Sequence, residues 1–141
     1  MALVGGGGAP NVAGGNPAGI GTSLNVIGDH CYATSGTITT GNTAATMLQF
    51  GTGAYYCIVN ISYSVTRGAG GGTDNYELAI EFDGQAVMHA ETASPASPTG
   101  PLVQLNEILI PPYTNVTMTT QNRSQDVDHD SFVTISGRVY A

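Results

Sequence analysis

The amino-acid sequence predicts an all-β protein, a single antiparallel jelly-roll sandwich of about eight strands preceded by a glycine-rich N-terminal arm. Three observations predict this fold. From Asp29 onward, apolar and polar residues alternate with the period of a half-buried strand. Turn signals recur about every 8–12 residues, as in sandwiches and barrels. The 141 residues include 20 glycines and only 9% charged residues, and they lack long stretches rich in Leu, Lys and Glu.

Residues 1–28 form the predicted arm, and residues 29–141 form the predicted sandwich domain. The arm has neither the period of a strand nor that of a helix, and its apolar residues are isolated. It therefore cannot build a core of its own. A neighbouring subunit, a larger shell or the protein's own barrel could hold the arm, and its role is predicted to be attachment to neighbours. Its scattered apolar residues are predicted to fill pockets on an adjacent surface: Leu3, Val4, Val12, Ile20 and Leu24.

The domain is predicted to begin with short strands, and a long strand follows them. The short strands are expected near Cys31–Ala33, Thr37–Thr40 and Ala45–Phe50. From Tyr55 to Thr66 one face is apolar and the other is mostly polar, which makes this the clearest strand in the chain. Cys57 falls on the apolar face. The favoured interpretation of the two cysteines is therefore a pair of small buried side chains, and a disulfide between them stays open.

The second half of the chain adds a hairpin and three further strands. Asp83-Gly84 is the strongest short hairpin signal, and it joins Tyr76–Phe82 to a return strand over Gln85–Ala90. Residues 91–101 are predicted to form a proline-containing loop, and residues 123–131 a polar, acidic loop. The remaining strands are predicted at Leu102–Ile110, Asn115–Asn122 and Phe132–Tyr140.

Charge excludes two classes of partner. The chain has three arginines, no lysine and ten acidic residues, for a formal net charge of −7. Each phosphate contact requires a cation, so we expect no nucleic-acid binding and no electrostatic attachment to anionic lipid. No apolar run approaches the roughly 20 residues of a membrane span, so we expect no membrane partner. The first residues lack the basic start of a secretory signal, so we expect synthesis in a cytoplasm.

One acidic cluster is a candidate metal site. Asp126, Asp128 and Asp130 alternate in a loop and could offer oxygens to a weak Ca²⁺ site, to which His129 could add a nitrogen. The pattern lacks the glycine and the glutamate of an EF-hand loop. A solvated acidic loop without metal is the favoured interpretation, and no other cofactor is predicted.

No constellation of residues points to catalysis, and we predict that the protein is not an enzyme. His30 and Cys31 are adjacent on a predicted strand, so their side chains point to opposite faces. Glu77 and Glu81 share the outer face of one strand but lie about 13 Å apart, farther than the paired carboxylates of glycosidases.

Parts of the chain resemble known jelly-roll proteins. The closing segment Ser131–Tyr140 resembles the last strand of TNF/C1q-like trimeric jelly rolls. Ile110–Thr119, a proline-bent turn that enters a Thr-rich strand, is similar to a segment of phage structural β-domains. As a whole, Asp29–Ala141 resembles small viral jelly rolls, including the decoration (cement) proteins that trimerise on the outside of tailed-phage heads.

The resemblance implies a structural virion protein: a homotrimer on the virion surface that binds a shell of major capsid protein and stabilises it. The arm would then clamp a neighbour, and the acidic surface fits the outside of a shell. The alternative is a receptor- or carbohydrate-binding module, such as a tail-fibre tip or a lectin-like head. That alternative predicts exposed tyrosines clustered with Asp126–Asp130 in one groove. An enzyme on a jelly-roll scaffold is the least favoured reading.

Overall fold

The computed structural model of the chain describes residues 24–65, 75–93, 102–124 and 128–140. Within these residues the chain forms strands and no helix, as the sequence predicts. The strands are β1 (Asn25–Ile27), β2 (His30–Thr34), β3 (Ile38–Thr40), β4 (Ala45–Gly51), β5 (Tyr56–Val65), β6 (Asn75–Phe82), β7 (Gln85–Ala93), β8 (Leu102–Ile110), β9 (Asn115–Asn122) and β10 (His129–Tyr140).

The strands form two antiparallel sheets. Sheet A has the order β1-β2-β10-β5-β8, with β3 paired to the beginning of β10. Sheet B has the order β4-β9-β6-β7. Four antiparallel pairs are nested along the chain, since β6 pairs with β7, β5 with β8, β4 with β9 and β2 with β10. This nesting winds the chain as a jelly roll, and it confirms the predicted fold class.

The core lies between the two sheets and follows the predicted alternation. In β5 every second residue is buried, from Cys57 to Val65. Tyr63 is the largest of these side chains, and its hydroxyl oxygen lies 2.6 Å from Thr120 Oγ1 in sheet B. A buried phenol therefore keeps a hydrogen-bond partner while its ring fills the core.

The turn between β6 and β7 has the predicted hairpin geometry. Asp83 and Gly84 both adopt positive φ, at 50° and 80°. Positive φ at both central residues defines the type I′ turn, whose twist matches that of the flanking strands. The Asp83 carboxylate also accepts a hydrogen bond from the backbone N–H of Asn115, at 2.9 Å. The turn is therefore attached to β9 as well as to its own hairpin.

The sandwich starts earlier than predicted. Strand β1 pairs with β2, and Leu24 and Val26 are only 1% and 3% exposed. Gly28, at a φ of +64°, provides the turn that folds this short strand back. The domain therefore begins at or before Leu24 rather than at Asp29, and Leu24 packs in the core of its own chain rather than on a neighbour. The other predicted anchors lie outside the described residues: Leu3, Val4, Val12 and Ile20.

Two strands extend into predicted loops. Strand β7 continues to Ala93, and β10 starts at His129 rather than at Phe132. His129 is buried, and its ring lies 4.4 Å from the ring of Tyr76, measured between centroids. A polar residue thus occupies a core position at the start of β10, which is why alternation of apolar residues failed to detect it.

Candidate functional site

The large exposed apolar side chains gather on one side of the molecule. They are Tyr32, Tyr56, Val87, Leu109, Tyr113 and Tyr140. All but Val87 lie on the outer face of sheet A, the face turned away from sheet B, or in the turn beside it. Tyr140 pairs directly with Tyr56, and Leu109 pairs with Ile58. We call the set Tyr32, Tyr56, Ile58, Leu109 and Tyr140 the tyrosine face.

A concavity of about 450 Å³ opens within this face. Its lining residues are His30, Cys31, Ile58, Asn60, Glu107, Ser136, Gly137, Arg138 and Tyr140. Gly137 lies at the centre of its floor, because β10 runs between β2 and β5. A Cβ atom at Gly137 would meet the Ile58 carbonyl and lie 2.7 Å from Val59 Cα. The close approach of β10 to β5 therefore requires glycine at this position.

Charged groups stand on opposite walls of the concavity. Arg138 Nη1 lies 3.2 Å from Asp29 Oδ2, and His30 Nε2 lies 3.4 Å from Asp29 Oδ1. All three side chains are more than half exposed, so these contacts contribute at most about 1 kcal/mol. Glu107 is exposed on the wall formed by β8. The concavity thus offers an aromatic ring, a guanidinium, an imidazole and the carboxylate of Glu107 to a ligand or partner, with Asp29 behind Arg138 and His30.

The two cysteines lie beneath the concavity, on the inner side of sheet A. Both Cys31 and Cys57 are buried and free. The hydrogen bond between the thiols, together with burial, raises the pKa of Cys31 well above its usual value, and the same hydrogen bond lowers the pKa of Cys57. Their strands, β2 and β5, flank β10. Both are small core side chains, as the alternation in β5 predicts for Cys57.

The outer face of sheet B carries a different cluster. The Glu77 carboxylate lies 3.0 Å from Arg123 Nε and 3.1 Å from His89 Nδ1. Its side chain is only 9% exposed, whereas those of both partners are 54% exposed. The sequence places Glu77 on this outer face but does not reveal its burial, since Arg123 and His89 are distant along the chain. The backbone N–H of Arg123 also donates to the Asn75 carbonyl, at 2.7 Å, so the segment after β9 is fixed to β6.

The predicted calcium ligands do not converge among the described residues. Asp130 accepts a hydrogen bond from Thr39 Oγ1 at 2.5 Å, whereas Asp128 is exposed. His129 lies in the core rather than beside these oxygens. Asp126 lies outside the described residues. Over residues 24–65, 75–93, 102–124 and 128–140, no group of three His, Cys, Asp or Glu side chains could hold a metal ion.

The tyrosine face and the acidic segment lie at opposite ends of β10. Asp130 and Tyr140 are ten residues apart on this strand, a separation of about 33 Å. The shared groove expected for a receptor-binding module is therefore not formed by Asp128 and Asp130. The charged residues beside the tyrosines are instead Arg138, Asp29 and Glu107. The sequence alone does not place these three residues near the tyrosines.

In the part of the chain that the structure describes, no helix has the length and hydropathy needed to cross a membrane. Neither the known protein-family models nor the curated protein sequences include a match to this chain.

Proposed function

We propose that this chain is a structural virion protein. It binds the outside of a viral capsid as a decoration (cement) subunit, forms a homotrimer and stabilises the shell. It is made in the host cytoplasm and resides on the virion surface. The observation that carries the proposal is the tyrosine face, a broad apolar area on a rigid two-sheet scaffold. Such an area on a small β-sandwich is typical of a protein that works by contact with other subunits.

The jelly-roll winding supports the proposal independently of the exposed residues. The nested strand pairs agree with the sequence resemblance of Asp29–Ala141 to small viral jelly rolls. The acidic composition, with a net charge of −7, suits the outside of a shell better than contact with a packaged genome. Fold alone does not establish function, so the surface features carry more weight than the winding.

The N-terminal residues are proposed to attach the subunit to the shell. Residues 1–23 precede Leu24, where the chain enters the sandwich at the β1 edge of sheet A. A segment of this length can extend roughly 75 Å. Leu3, Val4, Val12 and Ile20 are the apolar side chains that would fill pockets on a neighbouring subunit. Each fully buried anchor would contribute roughly 1.5–3 kcal/mol before the cost of ordering the chain.

Deletion of residues 1–23 tests this proposal, because Leu24 and β1 stay in the protein. Purified particles stripped of the protein are heated with the full chain, with the deletion variant, or with neither. We expect the full chain to raise the temperature at which particles open. The deletion should weaken particle binding by about tenfold or more while leaving thermal unfolding of the sandwich almost unchanged. If particles open at the same temperature with and without the full chain, the proposal is wrong. A deletion variant that does not fold would also contradict it.

A receptor- or carbohydrate-binding module is the second candidate function. The observation that favours it is the concavity, where Tyr140 lies near Asn60, Ser136 and Arg138. An aromatic ring beside several polar groups is suited to a hydroxyl-rich ligand. Binding to an oligosaccharide array that is lost in Tyr140→Ala, but kept in Val87→Ala on sheet B, would favour this candidate.

A further inference from the structure

We propose that a second copy of this chain covers the tyrosine face, and that Glu107 of one copy pairs there with Arg138 of the next. This inference rests on the self-association included in the proposed function. It adds the surface that is used and the residue pair that sets its orientation.

The distribution of exposed apolar side chains favours sheet A as the interface between copies. Leu109 is 54% exposed, and Tyr32, Tyr56 and Tyr140 are between 43% and 47% exposed on the same face. On sheet B, the one large apolar side chain exposed among the described residues is Val87. Burial of the tyrosine face removes several large side chains from water at once, and aromatic residues are enriched at protein interfaces.

The distribution of charge also favours sheet A as the interface between copies. A chain with a net charge of −7 repels its own copies unless they meet where charge is nearly balanced. Around the concavity, Asp29 and Glu107 are opposed by Arg138, with His30 beside them. Among the described residues, the outer face of sheet B carries the carboxylates of Glu77, Glu81 and Glu91 against the guanidinium of Arg123, with His89 beside them, so its excess of negative charge is larger.

The geometry of the walls explains why the pair forms between copies. Arg138 is on β10 and Glu107 is on β8, with β5 between them. Within one chain Arg138 contacts Asp29, and among the described residues no ion pair joins it to Glu107, so the Glu107 carboxylate stays available to a second copy. A copy related by rotation about an axis along the strands places its β8 wall against the β10 wall of its neighbour. Each Arg138 would then meet a Glu107 of the adjacent copy, in addition to its own Asp29.

The whole outer face of sheet A is large enough for an interface. The strands β10, β5 and β8 with β2 present an area of roughly 20 Å by 30 Å, estimated from strand spacing and rise, and the tyrosine face is the part of it toward Tyr140. The smaller stable interfaces bury about 600 Å² on each partner. A specific complex would therefore need one or two neighbouring copies to cover the tyrosine face together with the rest of this outer face.

Sedimentation velocity of the full chain at micromolar concentration measures the outcome. Leu109→Asp and Tyr140→Asp should yield monomers, whereas Val87→Asp, the matched exposed site on sheet B, should leave the assembly intact. Arg138→Glu and Glu107→Arg should each weaken association by about tenfold or more, and the double variant should recover most of the loss. Both the Arg138 single variant and the double variant lack the contact with Asp29, so recovery reports on the Glu107 pair. Far-UV circular dichroism checks that each variant is folded.

Several results would overturn the inference. They are a monomeric wild-type chain, an unchanged assembly in Leu109→Asp, dissociation caused by Val87→Asp, or no recovery in the double variant. Shell binding is scored separately. A monomer that still stabilises particles would overturn this inference and the homotrimer of the proposed function, and would leave its shell binding standing. An assembly that depends on the tyrosine face but does not bind particles would support this inference and contradict the shell binding of the proposed function. An intact Leu109→Asp assembly that binds oligosaccharides through Tyr140 would indicate the receptor-binding candidate instead.

Discussion

The outer faces of the two sheets use their side chains in opposite ways. Sheet A leaves Tyr56, Leu109 and Tyr140 in contact with solvent, although β10 and β5 beneath them are the most extensively paired strands. Sheet B buries Glu77, a charged residue, under Arg123 and His89. On sheet B the buried charge of Glu77 thus has its partners within the chain, whereas on sheet A the large apolar side chains stay exposed. We propose that a partner covers the outer face of sheet A.

Among the tests of this comparison, the largest loss of stability is expected for a substitution at Gly137 in sheet A. Gly137→Ala places a Cβ against the Ile58 carbonyl and 2.7 Å from Val59 Cα, atoms of the β5 backbone that cannot move aside cheaply. We expect a loss of about 3 kcal/mol or more in the free energy of unfolding. Chemical denaturation measures it.

Gly51→Ala is the matched control in sheet B. Its Cβ would meet only Asn115 Oδ1, at an ordinary contact distance of 3.5 Å. We expect a change within about 0.5 kcal/mol. Equal losses in the two variants would mean that the contact between β10 and β5 is not the constraint inferred here.

The next largest effect is expected in the cluster on sheet B. Glu77→Gln preserves the shape of the side chain but removes the charge that faces Arg123 and His89. An amide would also replace one of the two acceptor oxygens with a donor NH2 group, so one of the two contacts is lost. Because both partners are about half exposed, we expect a loss of about 1–2 kcal/mol rather than the larger cost of breaking a fully buried pair.

Glu81→Gln provides the comparison on the same face of β6. Glu81 is half-buried and has no ion pair among the described residues. Thermal unfolding should change little in this variant. If both substitutions cost the same, the ion pairs of Glu77 do not stabilise the face of sheet B.

Removal of the hydrogen bond between Tyr63 in sheet A and Thr120 in sheet B is expected to cause a smaller loss of stability. Tyr63→Phe removes the hydroxyl that lies 2.6 Å from Thr120 Oγ1. Thr120 keeps Ser131 Oγ at 3.3 Å, so its own hydroxyl is not left without a partner. We therefore expect a loss of about 1 kcal/mol, with almost none for Tyr56→Phe on the exposed tyrosine face. A larger loss at Tyr56 in monomeric protein would contradict the assignment of that face to solvent.

The sequence predicts those parts of the fold that depend on neighbours along the chain. Alternation in β5, β6 and β9 and the Asp83-Gly84 turn are local signals, and the structure agrees with each of them. The sequence does not predict strand β1, because a three-residue strand inside a glycine-rich segment has no measurable period. The sequence predicts His129 in a polar loop, because its acidic neighbours conceal a core position that the ring contact with Tyr76 reveals.

The candidate site required information that the sequence does not hold. Tyr56 and Tyr140 can each be assigned to the polar side of a strand, but their pairing follows from β10 lying beside β5. Arg138 and Glu107 line one concavity for the same reason. The sequence predicts Glu77 on the outer face of its strand, but its burial depends on Arg123, which follows β9 and lies over it. Long-range register, rather than residue type, determines both surfaces.

The smallest expected effect is a change of stability with pH above neutrality. Burial raises the pKa of Tyr63, whereas the hydrogen bond between the thiols raises the pKa of Cys31 and lowers that of Cys57, so the prediction rests on Tyr63. In the unfolded chain a tyrosine loses its proton near a pH of about 10. The folded state retains the Tyr63 proton longer, so it binds more protons than the unfolded state and its stability falls as pH rises. The contribution is complete below about pH 9 and is lost progressively above it. Thermal midpoints measured between about pH 8 and about pH 11 should fall less steeply in Tyr63→Phe than in the wild-type chain. A Tyr63→Phe variant that matches the wild-type slope would show that Tyr63 does not retain its proton in the folded state.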